Sequence, residues 1–533
     1  MMKKTLLSIL LAVTFFSAVK AESPFDFLYD NKEQETAPSS EDQRMITVVD
    51  ATHEYDLNPH TACYSTEAQV LCGLYEGLFS YNPSTLEPVP AIAKSYKVSR
   101  NKLKWTFYLN ENYTFSNGDK ITAQTIRDSW IKLLATPDAP FASLVDCISG
   151  AEDFRLGKCS ADDVKIEARE DLVLVVELNK PAEHLARILC HHAFAAVSEK
   201  ENVYSGAFVL QSYKDGKLVM LKNEKYHDAQ YVLIPGITFI QSDDLKENTH
   251  LFNTGDADWV TGGIDTAGVL NQNAVHISAE FGTQYLFFKD KNEPWNDSAV
   301  RMALLEAIPW SELRKNYFVP ATTFVYPLNG YPSVTGLSDY DKEDAVEMMN
   351  EARNKLGIPL DKKLSLVFAI TDVEYLKNQY ELLKAAWAPL GVELTVQTTP
   401  AERYNTSIAS WNADLFSYTW IGDFADPLAF LELFRGGSSL NVSSYNNEKY
   451  NKLLDDAANA NDYVSHNKLL SQAEQCLLDD GVVIPISHPV SLHVIDLDCI
   501  GGWTTNALDI HPLRYLYVKH SEATVPNLVY LSK

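Results

Sequence analysis

A strand–helix–strand run between Lys363 and Gln397 constrains this chain more than any other feature. Residues 363–370 are apolar enough for a buried strand, 373–388 read as a helix, and a second strand follows over 392–397 after the breaker Gly391. Two strands joined by such a crossover lie parallel, because the helix returns the chain to the same end of the sheet. The fold class is therefore α/β. Other segments agree. Residues 45–49 and 105–109 carry β-rich patterns, and Asp215-Gly216 between 207–214 and 217–222 is a hairpin signal. Ser116-Asn117-Gly118-Asp119 supplies a tight turn, and Thr122 caps a helix expected over 123–134. A short strand at 415–418, helices at 448–460 and 464–478, and a strand at 482–486 complete the outline.

The amino terminus points to export. Lys3 and Lys4 precede an apolar run over 5–19, and Val19-Lys20-Ala21 offers small residues where a signal peptidase reads. Residues 1–21 are expected to be a cleaved signal peptide and 22–44 a polar tail. The first cysteine is Cys63, so no lipid anchor is expected, and the mature chain is expected to be a periplasmic monomer. No later stretch reaches the roughly 18 consecutive apolar residues of a membrane helix.

At about 100–200 residues per domain, 533 residues predict two or three lobes. A formal charge of −26 repels nucleic acid, whose phosphates need a basic footprint. Seven cysteines leave at least one unpaired in a monomer. Cys147 and Cys159 are the first pairing candidates; buried free thiols are the other reading. No C-x-x-C pair or Cys/His cluster has zinc spacing, so no metal and no cofactor are expected. The signatures G-x-S-x-G, H-E-x-x-H, G-x-x-x-x-G-K-[ST] and G-x-G-x-x-G are absent as well, which lowers the case for an enzyme.

A set of ordered segments carries the positive signal. Asp56-Leu57-Asn58-Pro59-His60, Leu74-Tyr75-Glu76-Gly77-Leu78 and Pro90-Ala91-Ile92-Ala93-Lys94-Ser95-Tyr96 are followed by Trp105-Thr106-Phe107 and Phe115-Ser116-Asn117-Gly118-Asp119. Further on come Gly206-Ala207-Phe208, Asn223-Glu224-Lys225-Tyr226, Gly255-Asp256-Ala257-Asp258, Pro294-Trp295-Asn296-Asp297 and Tyr445-Asn446-Asn447-Glu448-Lys449-Tyr450. In this order and spacing they resemble the peptide-binding solute receptors of ATP-driven oligopeptide and dipeptide importers, over about residues 45–519. The resemblance implies a two-lobed periplasmic-binding-protein fold of class II, cluster C type, with a small inserted domain. It divides the chain into lobe I (45–75, 200–282 and 490–533), the insert (76–199) and lobe II (283–489). It also implies short peptides as ligands, captured between the lobes and delivered to an inner-membrane ABC permease with its ATPase subunits.

The most informative stretch for ligand contact is Thr419-Trp420-Ile421-Gly422-Asp423, directly after the strand expected at 415–418. Ligands of open α/β sheets bind beyond the carboxyl ends of strands. In similar receptors an acid at the place of Asp423 grips the ligand's α-amino group; a loop acid or helix cap is the alternative. Asp426 has its own structural role, as the cap of a helix opening at Pro427. Trp420 reads equally as pocket wall or as packing. Cys63-Tyr64-Ser65 matches a segment that pairs with peptide main chain in the family. Thr261, Gly262 and Phe141 correspond less securely to cleft-lining positions, and for Phe141 core packing is the other reading. The chain departs from the enteric oligopeptide receptor at two cationic positions, where it has Ser417 and Glu374. How a ligand carboxylate is received stays open, with Arg403 and Lys377 as candidates. A same-fold receptor for a non-peptide or peptidoglycan-derived solute is the alternative reading, and a secreted hydrolase is the alternative from another class.

Overall fold

The crossover expected between residues 363 and 397 forms as a parallel pair, with Leu364–Thr371 in register against Val392–Thr399 and the helix Glu374–Trp387 between them. Leu376, Leu383 and Trp387 recur at helical spacing, so one face of this helix is buried while Glu374 and the rest of the opposite face meet solvent. Gly391, at φ +77°, ends the crossover and starts the second strand. A computed structural model describes residues 43–519, less positions 63–64, 138, 329, 400–403, 405–407, 409–410, 423, 439 and 461 and the side chain of Ser65. The expected signal peptide and nearly all of the expected tail, with Cys63, Tyr64, Arg403 and Asp423, therefore lie outside the described residues.

Two mixed sheets form the cores. One has five strands in the order Val392–Thr399, Leu364–Thr371, Leu415–Ile421, Gly282–Phe288 and Val483–Ser487. The other has seven, in the order Val275–Ala279, Val490–Ile495, Trp259–Thr261, Ile46–Asp50, Gly236–Gln241, Lys217–Lys222 and Phe208–Lys214. The Asp215-Gly216 hairpin closes as expected, with both residues at positive φ (51° and 70°), which suits a two-residue turn. A separate four-stranded antiparallel sheet, ordered Ala93–Val98, Lys104–Leu109, Val173–Glu177 and Ile166–Glu170, belongs to the stretch between them. The helix Ala123–Ala135 buries Ile126, Trp130, Leu133 and Leu134, and Thr122 caps it. Its N-cap hydroxyl accepts the Thr125 N–H at 3.4 Å.

Several elements had no counterpart in the sequence reading. The strand Gly282–Phe288 is buried along its whole length, one in from the edge of the five-stranded sheet, and Val490–Ile495 is likewise one in from the edge of the seven-stranded sheet. The strand expected at 415–418 runs on to Ile421, because residues 419–421 continue the antiparallel ladder with Gly282, Thr283 and Gln284. Cys147 and Cys159 are both free thiols, the first buried and the second partly exposed. The four-stranded region touches both large sheets' lobes. His184 stacks on Phe424 with ring centroids 5.5 Å apart, and Arg187 lies over the Tyr463 ring at 5.5 Å. On the other side Glu76 accepts from Tyr226 Oη at 2.7 Å and pairs with Arg514.

Candidate functional site

The strand directions bring the carboxyl ends of the two large sheets together. Val275–Ala279 runs antiparallel to Val490–Ile495, which itself runs antiparallel to Trp259–Thr261, so residue 279 ends at the same side of the seven-stranded sheet as Asp50 and Thr261. Three residues later Gly282 opens the five-stranded sheet opposite Ile421, the carboxyl end of its own strand. The return path does the same, since Ser487 closes one strand and Val490 opens the next. Two links, Glu280-Phe281 and His488-Pro489, thus join the sheets at their carboxyl ends. They are bonded to each other: Glu280 N–H donates to Pro489 O at 2.9 Å, and His488 Nδ1 lies 2.8 Å from Gly282 O. Burial pushes the Glu280 carboxyl up to about 7, helped by the nearby Asp509 charge and opposed by His493. Two short links running side by side in opposite directions have the geometry of a hinge.

One strand at this meeting point has an edge that no described residue pairs along its last residues. Leu415–Ile421 pairs with Leu364–Thr371 only at Leu415 and Phe416, after which the two strands diverge. The Tyr404 hydroxyl fills the fork. It accepts the Ser417 N–H at 3.0 Å and lies 2.6 Å from Ser417 O and 3.0 Å from Ala369 O. Successive residues of a strand aim their N–H and C=O groups at opposite edges. Since Ser417 faces Tyr404, Thr419 and Ile421 face the same side. Beyond the fork no described residue pairs with them there. Trp420 and Gly422 face the opposite edge, where Gly422 N–H donates to Phe281 O at 2.7 Å. Among the described residues, nothing takes up the donors and acceptors of this two-residue strip, which is the geometry an added strand needs.

The other expected positions fall at different places around this strip. Trp420 is half-buried, and its Nε1–H donates to Ala429 O at 2.9 Å, so its ring is fixed against the short helix Leu428–Leu431. Gly422 is buried, and a Cβ there would stand 2.4 Å from the Phe281 ring, so no other residue fits. Thr261 lies at the carboxyl end of the seven-stranded sheet, with Oγ1 donating to Asp50 Oδ1 at 2.6 Å. Gly262 follows at φ +86° with open space around its α-carbon. Phe141 packs on His191, ring centroids 4.2 Å apart, against the core of the four-stranded region. Ser65 opens the helix Ser65–Leu74. Asp426 caps as expected, its Oδ1 accepting Leu428 N–H at 2.9 Å, and His466 Nε2 lies 3.3 Å from the same oxygen. Burial opposes the Asp426 charge, yet the hydrogen bond and field of His466 hold its carboxyl below the usual range, and Asp426 in turn raises His466. Lys377 is taken up by Asp372 at 2.6 Å, and Ser417 is buried.

The model of the bacterial extracellular solute-binding proteins, family 5, middle part, matches residues 87–441. The chain belongs to this family.

Family 5 members are binding receptors and not enzymes, and this chain is one of them. It is 25% identical to the dipeptide-binding protein DppE of Bacillus subtilis (strain 168) over 512 residues, 90% of this chain and 92% of that protein. It is 26% identical to the periplasmic murein peptide-binding protein MppA of Escherichia coli (strain K12) over 505 residues, 87% and 91% of the two chains. The solved structure of the Escherichia coli murein tripeptide binding protein MppA superposes with a TM-score of 0.74 at 25% identity, covering 91% of this chain and 99% of that one. That of Haemophilus influenzae OppA complexed with RPPGFSPFR gives 0.72 at 21% identity, covering 89% and 99%, and attests the fold. No helix among the described residues is long and apolar enough to cross a membrane.

Two further features bear on the family 5 site. A cavity of about 390 Å³, lined among others by Lys180, His184 and Phe424, lies between the four-stranded region and the lobe of the five-stranded sheet. Its charged walls are largely self-paired: Arg155 holds Asp146, and Arg435 holds Glu432 and Asp455. His493, Asp509 and His511 are the trio with metal-ligand spacing among the described residues. The Trp259 indole N–H donates to His493 Nδ1 at 3.1 Å, which puts the His493 proton on Nε2, 2.8 Å from Asp509 Oδ1. That nitrogen then has no lone pair for a metal, so the trio is a hydrogen-bonded brace beside the hinge.

Proposed function

We propose that this protein captures short peptides in the cleft between its lobes, as an added strand along Thr419 and Ile421, and delivers them to an ABC permease and its ATPase subunits. The observation that carries the reading is the open edge of Leu415–Ile421, placed at the carboxyl ends of both sheets and beside the hinge. Main-chain pairing gives affinity without demanding a sequence. The peptide and murein-peptide binding named for the relatives DppE and MppA supports a peptide ligand over other solutes. Residues 45–75, 200–282 and 490–533 form lobe I in this reading, 76–199 the insert and 283–489 lobe II. Asp423, next after Gly422, receives the ligand's α-amino group, and the segment Cys63-Tyr64-Ser65 pairs with the peptide from the lobe I side. The protein works as a periplasmic monomer after loss of its signal peptide.

Backbone substitution tests the strand addition. A tight-binding tri- to pentapeptide, N-methylated at one amide at a time, is titrated by calorimetry. Methylation at the amide that pairs with the Thr419–Ile421 edge is expected to weaken binding by about tenfold or more, since it removes one hydrogen bond and adds a clash. Methylation at the next amide, facing the other edge, is expected to have a smaller effect. Equal tolerance at every amide would refute main-chain pairing.

A further inference from the structure

The four-stranded region is fastened unequally to its two neighbours. Towards the seven-stranded sheet the joint is dense. Glu76 pairs with Arg514 and accepts from Tyr226 Oη, while the Tyr113 and His227 rings stack with centroids 3.7 Å apart. Ser116 N–H donates to Tyr204 O at 2.8 Å, and Thr504 Oγ1 donates to Pro83 O at 3.2 Å. Towards the five-stranded sheet the joint contains the cavity of about 390 Å³, and three contacts bridge it from the side. The His184 ring lies nearly parallel to that of Phe424, at 14°. The Arg187 guanidinium, held by both Glu87 oxygens at 2.8 and 2.9 Å, covers the Tyr463 ring. The Lys102 ammonium donates to Ala460 O, two residues past the helix Glu448–Ala458, where a helix's partial negative charge favours a cation. Lys102 stands at φ +58°, a left-handed position that a lysine adopts only under strain.

We propose that Lys102, His184 and Arg187 form a latch by which the insert grips lobe II when the cleft shuts, so that its release sets how long a ligand stays. The inference rests on the lobe division and hinge of the proposed function. The links Glu280-Phe281 and His488-Pro489 join the two large sheets without passing through the four-stranded region. With the insert fastened to lobe I, turning about the links parts it from Phe424, Ala460 and Tyr463. A joint that is small, partly polar and hollow separates at low cost, whereas the dense joint to lobe I does not. Opening also uncovers Phe424, which is 3% exposed here. Phe424 follows Ile421 by three residues, so one short stretch of chain carries both the strand edge offered to the ligand and a latch contact. Each contact is weak alone, as ring stacks and cation–ring pairs are, and together they bias the hinge without locking it.

Stopped-flow kinetics on the full chain test the latch. A dansyl-labelled alanine pentapeptide with a free amino terminus is bound and then displaced by excess unlabelled peptide. In Lys102→Ala/Tyr463→Ala, dissociation is expected to be about fivefold faster or more, with association changed by less than about twofold. Lys104→Ala, which breaks the pair with Glu177 at 2.8 Å inside the four-stranded sheet, is expected to leave both rates at the parent's values. Without peptide, small-angle scattering is expected to give the double variant a larger radius of gyration than the parent. Unchanged dissociation in a double variant that melts like the parent would overturn the latch and leave peptide capture standing. A loss of affinity through slower association alone would overturn it as well. If the double variant fails to fold, Lys102→Ala decides alone, with dissociation expected to be about twofold faster or more. If the parent binds no peptide, the peptide reading fails and scattering decides the latch, which equal radii would overturn.

Discussion

Asp423→Asn is expected to weaken binding of peptides with a free amino terminus by about 2–5 kcal/mol, a roughly 30-fold loss or more, while leaving the unfolding transition in place. The size follows from desolvation. An ammonium group enclosed between two lobes gives up its water, and a carboxylate at hydrogen-bond distance compensates; an amide keeps the shape and loses the charge. Acetylating the peptide's amino terminus removes the other partner of the same pair. The parent protein should then show a similar loss, and Asp423→Asn should add little to it, because the two changes delete one interaction. Calorimetry on the four combinations measures this. Equal affinity of the parent for free and acetylated peptides would remove Asp423 from the site.

The second large effect is on stability. Glu76, Tyr226, His227 and Arg514 form a buried cluster in which the Glu76 carboxylate pairs with Arg514, accepts from Tyr226 Oη at 2.7 Å and lies 2.9 Å from His227 Nε2. Arg514 Nη1 also donates to Tyr226 Oη at 2.8 Å. Burial opposes the Glu76 charge, but His227 and Arg514 together hold its carboxyl below the usual range. Three distant parts of the chain are fastened there, so Arg514→Met strands a buried carboxylate and should destabilise the protein by about 3 kcal/mol. The denaturation midpoint is the safer readout, because a chain with several lobes need not unfold in two states. Adding Glu76→Gln should recover part of the loss, since the stranded charge is then gone. An Arg514→Met protein as stable as the parent would mean that the cluster contributes nothing net.

Local rules made much of the fold legible. The crossover of residues 363–397, the Asp215-Gly216 hairpin and the Thr122 cap each depend on residues close in sequence, and each forms. The end of the strand at Ile421 was missed although a signal existed: Thr419, Trp420 and Ile421 are β-branched or aromatic, which favours continuing a strand. The open edge itself had no such signal. It depends on the Tyr404 hydroxyl reaching Ser417 and Ala369 across a fork between two strands, and nothing in the spacing of those residues announces it. The Glu76–Arg514 pair spans 438 positions and is likewise a product of tertiary folding alone. Trp420 packs as one of its two readings had it, with its indole anchored to Ala429, and its ring also lines a small cavity.

The central claim is that the protein holds peptides and releases them unaltered. Native mass spectrometry of the protein, purified without denaturation and then incubated with a mixture of di- to pentapeptides, tests it directly. The account predicts one peptide per chain, of varied sequence, recovered with its mass unchanged, and a rise in thermal stability of about 2.7 kcal/mol at a peptide concentration 100 times its dissociation constant. Recovery of cleaved peptides, or retention of a non-peptide solute with no peptide bound, would contradict it.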